Sequence, residues 1–151
     1  MNENKYILKR ILNSKVAARA EISGLDGICG EVDFYNFDGS TVVLASVHNL
    51  PETLTNIYGF HIHENGECVG DYSSAGPHYG EGEHPNHKGD MPVLFSNGGD
   101  AFLAFYTGRF SVDEVIGRAV IIHSQPDDFT TQPSGNSGSR IACGIIEKAN
   151  N

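Results

Sequence analysis

The sequence predicts an all-β fold, a sandwich or barrel of short strands. Three observations carry this. Strand-length segments alternating apolar with polar residues recur along the chain; eighteen glycines and no tryptophan among 151 residues make it turn-rich; and only one short stretch carries a clear helix signature. The length suits one domain with a core of its own. Residues 15–151 are assigned to that domain and residues 1–14 to an N-terminal extension.

The N-terminal stretch "MNENKYILKRILNSK" (1–15) sets Ile7, Leu8, Ile11 and Leu12 around Lys9 and Arg10, and no small-residue cleavage site follows. It reads as a poor signal peptide and as an extension or short amphipathic turn. "KVAARAEI" (15–22) then alternates strictly, with Val16, Ala18, Ala20 and Ile22 on one face. "ICGEVDFYNF" (28–37) repeats the pattern with Ile28, Val32 and Phe34 on one face, which turns Cys29 away with Glu31 and Asp33. "TVVLASVH" (41–48), "IYGFHIH" (57–63), "PVLFS" (92–96), "AFLAFY" (101–106), "RAVIIH" (118–123) and "RIACGIIE" (140–147) bring the candidate strands to eight. "FSNGGDAF" marks a hairpin, and "SVDE" (111–114) a capping box over a brief helical turn. Two connections are long, residues 64–91 with six glycines and two prolines, and residues 124–139. Loops of that length in a compact domain are commonly functional.

A formal net charge of −9 argues against nucleic acid and anionic membrane surfaces as partners, and no apolar run approaches the roughly 20 residues of a membrane span. Of three cysteines, Cys29, Cys68 and Cys143, at most two can pair within the chain, and spacing does not say which.

The chemistry lies in the histidines. In "GFHIHENGECVGD" (59–71) an extended chain sends His61 and His63 to one side and Phe60 and Ile62 to the other. Such a pair is either half of a metal site or part of a solvated polar face. "SAGPHYGEGEHPNHKGD" adds His78, His84, His87 and Asp90, and His123 closes the run "AVIIH". Six of the seven histidines thus fall in or beside the long loops, and a bound ion would give a glycine-rich loop reason to stay ordered. His48 alone reads as an exposed strand-end residue. Three imidazoles and a carboxylate suit tetrahedral zinc, and an all-imidazole set suits copper(II). Spacing does not show that His123 joins His61 and His63.

The strings "GFHIHE", "SAGPHY", "HKGD", "GRAVIIH", "PDD" and "GNSGSRIACGII", in this order, closely resemble the copper/zinc superoxide dismutase family over about residues 15–147. The resemblance implies an eight-stranded Greek-key barrel that disproportionates superoxide to oxygen and hydrogen peroxide. It implies His61, His63, His78 and His123 as copper ligands and His78, His84, His87 and Asp90 as zinc ligands, with His78 shared between the metals. Asp127 matches the carboxylate that links the two sites, Arg140 the guanidinium that docks the anion, and Cys68 with Cys143 the family disulfide in its bacterial placement. Only five residues separate His78 from His84, and the 124–139 loop has no lysine, so the zinc subloop is short and electrostatic steering is expected to be weak.

Two other readings fit parts of the pattern. A cupin-like barrel with one metal would use His61, His63 and Glu67, and a non-catalytic copper- and zinc-binding sandwich would use the same ligands without turnover. Superoxide is the expected small-molecule partner, homodimerisation is left open, and the cytoplasm is the expected compartment unless a leader has been removed.

Overall fold

In the computed structural model, which describes residues 3–150, each alternating segment becomes a strand. The elements are α1 (Glu3–Leu12), β1 (Ala18–Gly24), β2 (Cys29–Phe37), β3 (Ser40–His48), β4 (Ile57–Tyr58), β5 (Phe60–His63), β6 (Leu94–Phe95), β7 (Ala101–Thr107), α2 (Val112–Val115), β8 (Ala119–His123) and β9 (Arg140–Lys148). Seven strands form one antiparallel sheet in the order β5-β8-β9-β1-β2-β3-β7. The segment predicted as one strand over 57–63 divides at Gly59, so that β5 pairs with β8 while β4 pairs with β6. Strand β6 runs into β7 through the predicted hairpin, closed by the Asn97–Asp100 bridge. The β4–β6 pair therefore ties together the two edges of the curled sheet, and with β4 and β5 counted as one strand the fold is the expected eight-stranded Greek-key barrel.

Period-two alternation fixes the register. Ala20 lies opposite Val32, and Val32 opposite Ala45, all with no solvent exposure. On the outer face Arg19 holds the buried Asp33 with two bonds, of 2.6 and 2.8 Å. Strand β8 is buried along its whole length. Val120 and Ile122 enter the main core, whereas Ala119 and Ile121 pack with Cys143, Cys68 and Tyr72 in a small second cluster beneath the 64–91 loop. The face of β5 and β8 turned away from the barrel interior is thus roofed by loop, and the site lies there.

Both helices report on the sequence reading. Ser111 and Glu114 form the predicted capping box at α2. The N-terminal segment, read as an extension or short turn, is a ten-residue helix. Ile7 and Ile11, one turn apart, are half-buried, and the Arg10 guanidinium lies 4.6 Å from the Phe37 ring centre while pairing with Asp38 at 2.9 Å. The two basic residues that interrupt the apolar run fall in the last helical turn, where the helix dipole favours positive charge.

Candidate metal centre

Alternation along β5 sends Phe60 and Ile62 into the core and His61 and His63 outward, yet the two histidines are only 0% and 1% exposed, which rules out the solvated-face reading. The loop that covers them binds the free edge of β5. Tyr79 N donates to Ile62 O at 2.8 Å and Ile62 N to Gly89 O at 2.9 Å, and bridges pair His63 with His78 and His61 with Asp90. Two loop residues are thereby laid beside two strand residues. Glycine at 89 is required for this approach, because a Cβ there would stand 2.2 Å from Ile62 O.

His61 and His63 lie opposite Ile121 and Ala119 of β8, so His123, of the same parity, shares their face, and its Nε2 comes to 3.2 Å from His63 Nε2. Possible ligand atoms of His61, His63, His78 and His123, the strand cluster, all lie within 4.8 Å of one another, as do those of His78, His84, His87 and Asp90, the loop cluster. His78 belongs to both. The structure thus brings His123 to His61 and His63, which spacing did not settle, and unites the loop histidines with Asp90.

Hydrogen bonds fix which nitrogen of His61, His63 and His84 faces inward. The Asp127 carboxylate, fully buried in its side chain, accepts from His61 Nε2 and His84 Nε2, each at 2.7 Å. Those nitrogens carry protons, and both Nδ1 atoms turn to the clusters as lone pairs. His63 Nδ1 donates to Gly76 O at 2.8 Å, which leaves its Nε2 as the inward lone pair. His78 places Nδ1 2.7 Å from Asp90 Oδ1, and its other nitrogen is among the buried polar atoms with no hydrogen-bond partner, as are His61 Nδ1 and His84 Nδ1. Nitrogen lone pairs buried without donors, converging from several rings, are what a metal ion needs and what a packed polar core avoids. Imidazole and carboxylate donors in these two groupings fit copper and zinc.

Electrostatics agree. Burial lowers the His61 pKa to about 4 despite Asp127, and burial lowers His63 and His123 to about 2, so these three rings are neutral at physiological pH. Burial alone would raise the pKa of Asp90, but the His78 hydrogen bond and neighbouring imidazoles bring it to about 2. The pKa of Asp127 is likewise lowered by His61 and His84 against the effect of burial.

A cavity of about 190 Å³ opens onto the strand cluster, lined in part by His63, His78, His123, Pro133 and Arg140. Arg140 donates to Tyr72 O and Gly76 O, each at 2.7 Å, which fixes its guanidinium at the cavity wall. Cys68 and Cys143 are bonded, with a sequence separation of 75 residues, and Cys29 is free and exposed. His48 is exposed and bonded to Asp100. Glu67, the third ligand of the one-metal reading, is exposed and joins neither cluster.

Two residues escaped the sequence reading. Gln132 exchanges two bonds with the backbone of His84, at 2.9 and 2.7 Å, and so joins the two long loops. Gly135, at φ +69°, leaves room for Asp127, whose Oδ1 would stand 1.8 Å from a Cβ at that position. Only the setting of glycines and amides within a loop already suspected of function could have drawn attention to either.

The copper/zinc superoxide dismutase family profile matches residues 28–146. A copper-zinc superoxide dismutase 2 of Aquifex aeolicus is 29% identical over 93% of this chain and 92% of its own length. That of Photobacterium leiognathi is 34% identical over 65% of this chain and 68% of its own, and that of Deinococcus radiodurans 32% identical over 62% and 64%.

Proposed function

The chain belongs to the copper/zinc superoxide dismutase family, and on that footing we propose that it disproportionates superoxide at a copper and a zinc ion sharing the His78 ring. The reaction turns two superoxide anions and two protons into oxygen and hydrogen peroxide, an oxidoreductase activity. Copper, when bound, supplies alternating one-electron oxidation and reduction, and zinc supplies a fixed charge that orders the loop. His61, His63, His78 and His123 are assigned to copper and His78, His84, His87 and Asp90 to zinc. The observation that carries the reading is His78, the one ring with a nitrogen in each cluster.

The geometry supports a part for several of the chain's own residues. Arg140 presents a fixed cation with paired donors at the cavity wall and holds the anion beside the strand cluster. His78 Nε2, buried and without a partner, can carry a proton and pass it to the reduced substrate, while Asp90 holds the other side of the ring. Asp127 keeps His61 and His84 in the tautomers that aim Nδ1 inward. Two further cations near the loops are committed elsewhere. Lys88 pairs with Glu114 at 2.5 Å, and Arg118 pairs with Glu64 at 2.7 Å while stacking on Tyr79. This supports weak steering and an activity that falls only mildly with ionic strength.

Metal content and superoxide turnover on one preparation test the proposal. Two ions per chain, one of them copper, with turnover support it; one ion per chain favours the cupin-like reading, and both metals without turnover favour the metal-buffering one. His123→Ala is expected to lose copper and activity and keep zinc, whereas equal loss of both metals counts against the assignment. The cytoplasm is proposed as the compartment, supported by burial of Cys143, and finding the pair reduced in cytosolic fractions argues for an oxidising compartment instead. Exposed Phe102 and Tyr106 on one face of β7 offer a surface for homodimerisation, which sedimentation measures.

A further inference from the structure

Arg109 follows β7 and stands outside both long loops. Its Nη1 nevertheless reaches three carbonyl oxygens of the loop cluster's own backbone, those of Pro85 at 2.6 Å, His87 at 3.3 Å and Asp90 at 3.5 Å. Residues 84–90 carry three of the four loop-cluster ligands. Three carbonyl dipoles pointing at one spot repel one another unless a cation or water sits between them, and here a guanidinium nitrogen does. With these carbonyls drawn to one side, the backbone between them is held curved around the guanidinium.

We propose that Arg109 is a positioning residue for the loop cluster. It sets the curvature of residues 84–90 from outside, and so aims His84, His87 and Asp90 at a common point without touching the ion. Other contacts complete the clamp: Gln132 holds the backbone of His84, and Asp90 Oδ2 accepts from His87 N at 2.9 Å. Arg109 is exposed, so removing it lets water reach the freed carbonyls. The barrel is then expected to survive while the loop loses its imposed curve. The inference rests on the reading that the loop cluster holds zinc.

The test uses the full chain carrying both metals. Arg109→Ala is expected to release zinc to a chromogenic chelator about tenfold faster than the parent protein, the usual scale for losing a residue that supports metal ligands. Copper retention is expected to be unchanged. With cobalt(II) in place of zinc, the visible bands of the tetrahedral site should shift and weaken. Arg109→Lys, which returns a cation with several donors to the same spot, is expected to restore most of the zinc retention. Unchanged zinc release in Arg109→Ala, equal acceleration of copper and zinc release, or a lysine variant no better than alanine would overturn the proposal. Amide hydrogen exchange on the metal-free protein separates this from the zinc assignment. Faster exchange confined to residues 84–90 in Arg109→Ala supports the positioning role even if the parent takes up no zinc, and unchanged exchange there refutes it.

Discussion

Replacing Asp127 by asparagine changes one oxygen to a nitrogen, and the structure says which metal set suffers. Oδ1 accepts from His84 Nε2 and from Phe129 N, each at 2.7 Å, whereas Oδ2 accepts from His61 Nε2 alone. The amide oxygen of asparagine takes the place with two donors, which leaves its NH2 facing the Nε2–H of His61. Two donors then meet in a site with no exposure on either side chain. The conflict is relieved when the His61 proton moves to Nδ1, the nitrogen aimed into the strand cluster. A lost charge-assisted bond is worth about 1.5–3 kcal/mol, which is roughly a ten- to hundredfold loss of copper affinity. Zinc is expected to stay, because His84 keeps its acceptor. Competition titrations of each metal on parent and variant measure this. Equal weakening of both metals, or loss of zinc with copper retained, would refute the tautomer argument.

Arg140→Ala should lower kcat/KM on the order of tenfold with both metals kept, since it removes a charged donor pair beside the substrate cavity; full activity in the metallated variant would exclude the docking role. Cys143→Ser removes a crosslink spanning 75 residues and should cost about 4 kcal/mol in denaturant unfolding, less any strain in the native bond. Metal-free protein should lose stability on acidification. Unfolded histidines take up protons below pH 6.5, while folded His61 resists until about 4 and His63 and His123 until about 2, so the unfolded state binds more protons in that window and stability falls as pH drops through it. The loss is up to about 1.4 kcal/mol per histidine per pH unit, and urea midpoints that do not change between pH 7 and pH 5 would contradict it.

Strands were legible because one face of each is buried: the alternation in "KVAARAEI" sets Val16, Ala18, Ala20 and Ile22 on one face, of which the last three are core and Val16, ahead of β1, is half-buried. The break at Gly59 was not, since it depends on β4 pairing with β6 while β5 pairs with β8, partners from far along the chain. The same distinction divides the site. Residue types and parity pointed to His61, His63 and the loop histidines, but whether His123 joined them depended on β5 pairing with β8. Helix α1 was missed because Arg10 reads as an interruption until Phe37 and Asp38 are seen beneath it.

The two clusters also differ in when they can exist during folding. His84, His87 and Asp90 lie within one short stretch of chain, so bringing them near one another closes only small loops, although their final geometry waits on Arg109, Asp127 and Gln132. His61, His63 and His123 meet only after β5 and β8, some sixty residues apart, have paired, a contact of the kind that forms late because it closes a long loop before any packing rewards it. An ion presented to the nascent chain would then meet part of the loop ligand set first. Since His78 serves both, capture of an ion by the loop residues first would deliver one ring of the strand cluster already oriented.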